Sequence, residues 1–273
     1  MPINDIAGVK ALPPSLLVTT DTAQAAQSHR FKNIGFADFQ AMAKQPNLDK
    51  YEKIGFPTSY RQGKERAIFD DILGKCGQLT STGKTVLDIG SGCSDLPVLL
   101  LDHCAQQSHQ LIFLDSHEML DLLPEAPHVR KVAGYYPECP ALIDELQNQV
   151  DCILVYSVAQ YIFSEGNFWK FIDTSLGLLK PGGQMLIGDI PNTSKRKRFF
   201  NSDAGRQHHK DYTQTDTEPS ISYNTIEAGQ IDDSVVVAVL MRCRGQGFDA
   251  YVMPQLSHLP MANRREDILI VRP

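Results

Sequence analysis

Apolar positions in this chain follow two rhythms. Val86 and Leu87, and farther on Leu111-Ile112-Phe113-Leu114, are apolar at successive positions. Such runs bury both faces of an extended segment and predict parallel strands covered by helices on either side. Elsewhere the spacing is three and four. Ile68, Phe69, Ile72 and Leu73 predict a helix over 64–75, and Phe168, Phe171, Ile172, Leu176 and Leu179 predict one over 165–180, stopped by Pro181-Gly182-Gly183. Parallel strands need such crossovers, so the alternation predicts an α/β, doubly wound sheet. Residues 248–253 and 267–271 read as two more strands, joined through Pro260 and Asn263. Residues 1–55 form an N-terminal extension in which Phe31, Phe36, Phe39 and Met42 recur at helical spacing. That helix has two readings, a cap over the site or a packing element on the sheet edge.

The chemistry sits where the first two apolar runs end. Thr85-Val86-Leu87-Asp88-Ile89-Gly90-Ser91-Gly92 passes from a strand into two glycines, which let the backbone turn sharply and a ligand approach the main chain. A helix then opens near Ser94 or Asp95, both good N-caps, with Pro97 tolerated in its first turn. In a doubly wound sheet, ligands bind beyond the carboxyl ends of the strands, at the point where strand order reverses. Asp115, ending the second run, would arrive there to accept hydrogen bonds from ribose hydroxyls, each contributing about 1.5–3 kcal/mol. A dinucleotide site would place a third glycine three positions after Gly92, and this chain has Asp95. A carboxylate at that helix start repels pyrophosphate, and no P-loop lysine pattern occurs. The indicated cofactor is a nucleoside without a phosphate ester.

These residues resemble the class I S-adenosylmethionine-dependent methyltransferases. Leu87 to Gly92 is similar to their first motif and Leu114-Asp115-Ser116 to the acidic end of their second strand. Val150 to Val158 resembles their fourth-strand motif, and Leu178 to Ile187 the helix, Pro-Gly-Gly turn and fifth strand that follow. The match covers about residues 60–190. Many members carry a third glycine where this chain has Ser94, which bears on the loop geometry. The resemblance implies a mostly parallel seven-stranded sheet with an antiparallel C-terminal strand, built from residues 56–273, and S-adenosyl-L-methionine as cofactor. It implies that Gly90, Ser91 and Gly92 line the methionine part, with Asp88 ordering the loop. Asp115 would hold the ribose, Ser116 and His117 border the adenosine, Gly134 and Tyr135 edge the adenine, and Ser157 and Val158 face the methionine. Arg61, in the stretch Phe56 to Gly63 that precedes the next helix, would pair with the cofactor carboxylate.

Composition changes this picture little. With 273 residues, 42% of them hydrophobic and 21% charged, the chain can bury a large core. A formal charge of −6 gives no footprint for nonspecific nucleic-acid binding. Six scattered cysteines without a C-x-x-C pair indicate neither a zinc site nor a disulfide framework, and no apolar stretch approaches the ~20 residues of a membrane span. A reducing cytoplasm is the expected location. Oligomeric state is not legible.

Residues 191–233 are long for a connection after a fifth strand, and such segments often bind substrate. The run Lys195-Arg196-Lys197-Arg198 has two readings, recognition of a phosphate or carboxylate on an anionic acceptor, or a solvated helix face. For a hydroxyl acceptor, His208 or His209 is the candidate general base, with Asp189 orienting or assisting it. Gly188 to Asn192 with Ser194 to Phe200 is similar to methyltransferases of bacterial surface-polysaccharide pathways, which favours a sugar or other small hydroxylated acceptor. Two other classes stay open: an NAD-type oxidoreductase, and a non-catalytic nucleoside-binding module of the same fold.

Overall fold

Side chains alternate in direction along each strand, and this sorts the apolar runs into two cores. In the structure, a computed structural model that describes residues 34–273, Leu87 and Ile89 of the first strand pack on one side of the sheet with Ile153, Val155, Met185 and Ile187. Val86 packs on the other side with Leu111, Phe113, Leu154 and Leu186. Because both faces are covered, the strands read as continuous apolar runs. The strands are β1 (Thr85–Ile89), β2 (Gln110–Asp115), β3 (Val129–Ala133), β4 (Val150–Tyr156), β5 (Leu179–Pro191), β6 (Asp249–Met253) and β7 (Arg265–Val271). They form one seven-stranded sheet of order β3-β2-β1-β4-β5-β7-β6, with β1 to β5 parallel and β7 antiparallel to both its neighbours. The strand order reverses between β1 and β4, so the crevice beyond their carboxyl ends is the expected ligand position.

Helices precede, link and follow the strands: α1 (Phe36–Ala43), α2 (Lys50–Lys53), α3 (Thr58–Arg61), α4 (Glu65–Lys75), α5 (Asp95–Gln106), α6 (His117–Leu120), α7 (Pro140–Leu146), α8 (Ala159–Glu165), α9 (Phe168–Leu178), α10 (Thr193–Phe200), α11 (Asp203–Thr213) and α12 (Asp233–Gly245). The helix read over 165–180 is α9 alone. Asn167 ends the turn before it and caps it, accepting from the Lys170 N–H at 3.0 Å. Ser94, in place of a third glycine, caps α5. Residues 1–33, including Phe31 and most of the expected extension, lie outside the described residues, and Ile34–Pro273 forms one unit by its contacts. Among the described residues, no helix is long and apolar enough to cross a membrane.

The interval 191–233 holds α10 and α11 and then irregular chain. Its basic run is consumed by ion pairs: Lys195 with Glu266 at 3.9 Å, Arg196 and Lys197 with Glu227 at 2.7 and 3.1 Å, and Arg198 with Asp233. Each cation has a carboxylate on a neighbouring segment, so the run fastens the interval to α12, β7 and the loop before α12. Arg196 and Arg198 stay about half exposed within these pairs.

Candidate active site

The carboxyl ends of β1, β2 and β4 open into a cavity of about 940 Å³, counting its mouth. Its floor is the loop after β1. Gly90 has φ +74° and Gly92 φ +66°, in the left-handed region that favours glycine. A Cβ on Gly90 would lie 2.6 Å from Val158 Cγ2, and one on Gly92 would lie 2.7 Å from Ile54 Cγ2, so neither position has room for a side chain. Asp115 meets this floor from β2: its Oδ2 accepts the Gly92 N–H at 2.8 Å and its Oδ1 the Ser116 N–H at 2.6 Å. Burial pushes its carboxyl up from the ordinary range, while the two amide donors favour the ionised form. A carboxylate has about four lone-pair sites, so acceptor capacity remains.

Arg61 closes the opposite end. Its guanidinium lies over the Phe56 ring at 4.3 Å and beside the Tyr156 ring at 5.7 Å. Nη2 donates to Ser157 Oγ and, at 3.1 Å, to Asp189 Oδ2. Arg61 is only 3% exposed, and its Nε has no hydrogen-bond partner. Ser157 also donates to Asp189 Oδ2 at 2.6 Å, and Arg265 Nε lies 3.7 Å from Asp189 Oδ1. Both Ser157 (φ 63°) and Asp189 (φ 58°) hold left-handed backbone at the ends of β4 and within β5, a conformation that costs of order 1–3 kcal/mol and clusters at functional sites. The backbone N–H of Asp189 is held by Asp267 Oδ1 at 2.8 Å, and Asp267 in turn pairs with Lys75 at 2.7 Å.

Aromatic side chains wall the cavity. Phe36 meets Tyr135 edge-on at 4.9 Å, and Phe39 meets Tyr161 edge-on at 4.8 Å. Glu165 Oε2 accepts the Phe36 N–H at 3.1 Å, pinning the start of α1 to the end of α8.

Of the residues singled out from the sequence, Arg61, Gly90, Ser91, Gly92, Asp115, Gly134, Tyr135, Ser157 and Val158 line this one cavity. Asp88 and Ser116 do not. Asp88 is buried beneath the loop, and burial pushes its carboxyl up to about 7. Ser116 is buried and caps α6, accepting from the Met119 N–H at 3.3 Å. His117 is likewise absent from the lining, paired with Asp121 at 3.3 Å. Asp189 stands behind the wall, engaged by Arg61, Ser157 and Arg265. His208 and His209 lie on α11 with their rings against Phe200, 6.2 Å away in both cases, and neither lines the cavity. The three residues expected to supply or assist a base thus lie outside the lining of this cavity.

Glu65 was not picked out by the sequence reading. It is 3% exposed, its Oε2 accepts the Leu96 N–H at 2.6 Å, and its Oε1 has no partner. Burial pushes its carboxyl up, against the opposing pull of Arg61. Glu65 thus occupies the amide at the start of α5 that would face a pyrophosphate in a dinucleotide site, and Asp95 adds a second carboxylate there. The clue in the sequence was its position at the start of a helix, four residues after Arg61.

Comparison with models of known protein families finds no match, and comparison with curated proteins finds none. Among solved structures, the fold is similar to the CurJ carbon methyltransferase, with TM-score 0.55 and 14% identity over 96% of this chain and 72% of that one. It is also similar to the N-methyltransferase NodS from Bradyrhizobium japonicum WM9 in complex with S-adenosyl-l-homocysteine, with TM-score 0.51 and 13% identity over 87% of this chain and 98% of that one. The plantazolicin methyltransferase BamL, in complex with a triazolic desmethylPZN analog and SAH, gives TM-score 0.54 and 12% identity over 91% and 98%. The fold is that of the class I S-adenosylmethionine-dependent methyltransferases.

Proposed function

We propose that the protein transfers a methyl group from S-adenosyl-L-methionine to a small-molecule acceptor. The observation that carries this reading is the unpartnered, buried Arg61 Nε at one end of a cavity whose other end is Asp115 and whose floor has no room for side chains. The residues present suit the cofactor part by part. Asp115 accepts from ribose hydroxyls, and the edges of Tyr135 and Gly134 border the base. Arg61 Nε donates to the amino-acid carboxylate. When bound, the cofactor supplies an electrophilic methyl group on a sulfonium. The chain's own task is to orient the acceptor and exclude water, and orientation alone lowers barriers by roughly 7–11 kcal/mol in well-arranged systems. The similarity of residues 188–200 to sugar-pathway methyltransferases makes small hydroxylated metabolites the first acceptors to test. His208, His209 and Asp189 lie outside the lining of the cofactor cavity, so a base drawn from them would act from the acceptor side.

The experiment is calorimetric titration with S-adenosylmethionine, S-adenosylhomocysteine and NAD, followed by product analysis against sugars, small phenols and amines. Saturable binding of the first two and none of the third is expected. Binding of NAD alone would overturn the proposal, and cofactor binding with no product from any acceptor would favour a non-catalytic module.

A further inference from the structure

Every arginine among the described residues has a hydrogen-bond acceptor or a carboxylate, except one. Arg264, at the end of a 3-10 turn (Ala262–Arg264) before β7, has neither; its guanidinium lies over the Phe200 ring at 5.8 Å. The side chain is partly buried, and burial together with the neighbouring Arg265 and Arg196 works against its positive charge. Unpaired cations removed from water are costly, so such a group is retained where an anion supplies what the fold withholds.

The surroundings are suited to that anion. Tyr60 and Tyr212 lie beside Arg264 and beside each other, contributed by α3 and α11. His208 stacks on Tyr212 at 6.5 Å, and burial and the charge of Arg264 hold its imidazole below the ordinary range. The carboxylates near these segments are engaged elsewhere: Glu266 with Asn192 and Lys195, Glu227 with Arg196 and Lys197, Asp211 with Gln207, and Glu218 with Arg206 and Lys210. None offers Arg264 a partner. In a chain of net charge −6, this is a local excess of positive charge.

Its place in the fold ties it to the cavity. Tyr60 precedes Arg61, which lines the cavity, and Arg264 precedes Arg265, which holds Asp189 behind the cavity wall. Beside that wall, α3, α11 and the turn before β7 come together through Tyr60, Tyr212 and Arg264. We propose that Arg264, flanked by Tyr60, Tyr212 and His208, binds an anionic group, a carboxylate or a phosphate, on the methyl acceptor. Guanidinium recognises either anion bidentately, and tyrosine hydroxyls donate further hydrogen bonds. This inference rests on the methyl-transfer reading for the role of its ligand, though not for the existence of the site.

The test titrates the full chain at low ionic strength with inorganic phosphate and, separately, with benzoate. At least one of the two anions is expected to bind the wild-type chain, and the one that binds assigns the class. Arg264→Gln should weaken that binding at least tenfold, Arg264→Lys should retain part of it, and S-adenosylmethionine affinity should be equal in all three. Should Arg264→Gln fail to fold by circular dichroism, Tyr60→Phe provides the comparison, with a loss of severalfold expected. Absence of binding by both anions, or equal binding by wild type and Arg264→Gln, overturns the site. Loss of anion binding in Arg264→Gln in a chain that never binds S-adenosylmethionine would defeat the methyl-transfer reading and leave the anion site standing.

Discussion

Replacing Arg61 by Met separates two jobs that the structure assigns to one side chain. The aliphatic replacement keeps apolar contact with Phe56 and Tyr156 and removes the donors to Ser157, Asp189 and the cavity. Asp189, 4% exposed, would keep Ser157 and the more distant Arg265. Breaking a buried ion pair by removing one partner costs about 3–5 kcal/mol. For a domain of this size, that is a fall in Tm of roughly 6–20 °C. Cofactor affinity should fall independently, since a charge-assisted bond contributes about 1.5–3 kcal/mol and each 1.4 kcal/mol is tenfold in Kd, a loss of roughly tenfold to a hundredfold. The double variant Arg61→Met with Asp189→Asn distinguishes the jobs, because it removes the stranded carboxylate without restoring the donor. Its Tm should recover much of the loss while its affinity stays as weak as that of the single variant. Scanning calorimetry and titration with S-adenosylmethionine read the two quantities. A folded Arg61→Met chain with wild-type affinity would refute the assignment of Nε to the cofactor, and a double variant no more stable than the single would refute the ion-pair argument.

Asp115→Ala removes the acceptor of the Gly92 N–H together with the proposed ribose contact, and S-adenosylmethionine affinity should weaken about tenfold or more by titration. Gly90→Ala sets a Cβ 2.6 Å from Val158 Cγ2 on a backbone at φ +74°, and should cost about 1–3 kcal/mol in thermal unfolding. Adding Val158→Ala should recover only the packing share of that loss. Asp88 links stability to pH: its carboxyl is raised from 3.8 to about 7, so the folded chain holds the proton more tightly than the unfolded chain does. The stabilisation is fully present below about pH 4 and is lost as pH rises through about 7, by up to roughly 4 kcal/mol. Asp88→Asn should flatten that part of the stability–pH curve, measured by urea unfolding, and an unchanged slope would remove the burial argument.

What local pattern determines was legible without coordinates. Apolar runs at 86–87 and 111–114 announce strands buried on both faces, and threefold and fourfold spacing announces α4 and α9, because burial of a short segment depends on its own periodicity. The glycine pair after β1 and the acid at the end of β2 follow from the same logic, since parallel neighbours in register deliver their carboxyl ends together: Ile89 pairs with Leu114, and Gly92 meets Asp115. Charge partnership obeys no such period. Arg61 and Asp189 are 128 positions apart, and Glu65 reaches an amide 31 positions away. Only the tertiary structure decided that the conspicuous basic run 195–198 is spent on Glu227, Asp233 and Glu266, while the unremarked Arg264 is left without a carboxylate. It likewise set His208 beside Tyr212 on α11 and Asp189 against Arg61 and Ser157. Composition tells how many charges a chain has; which of them remain available to a ligand depends on what folding brings within a few ångströms of each, and the electrostatic energy that settles it falls off with that distance.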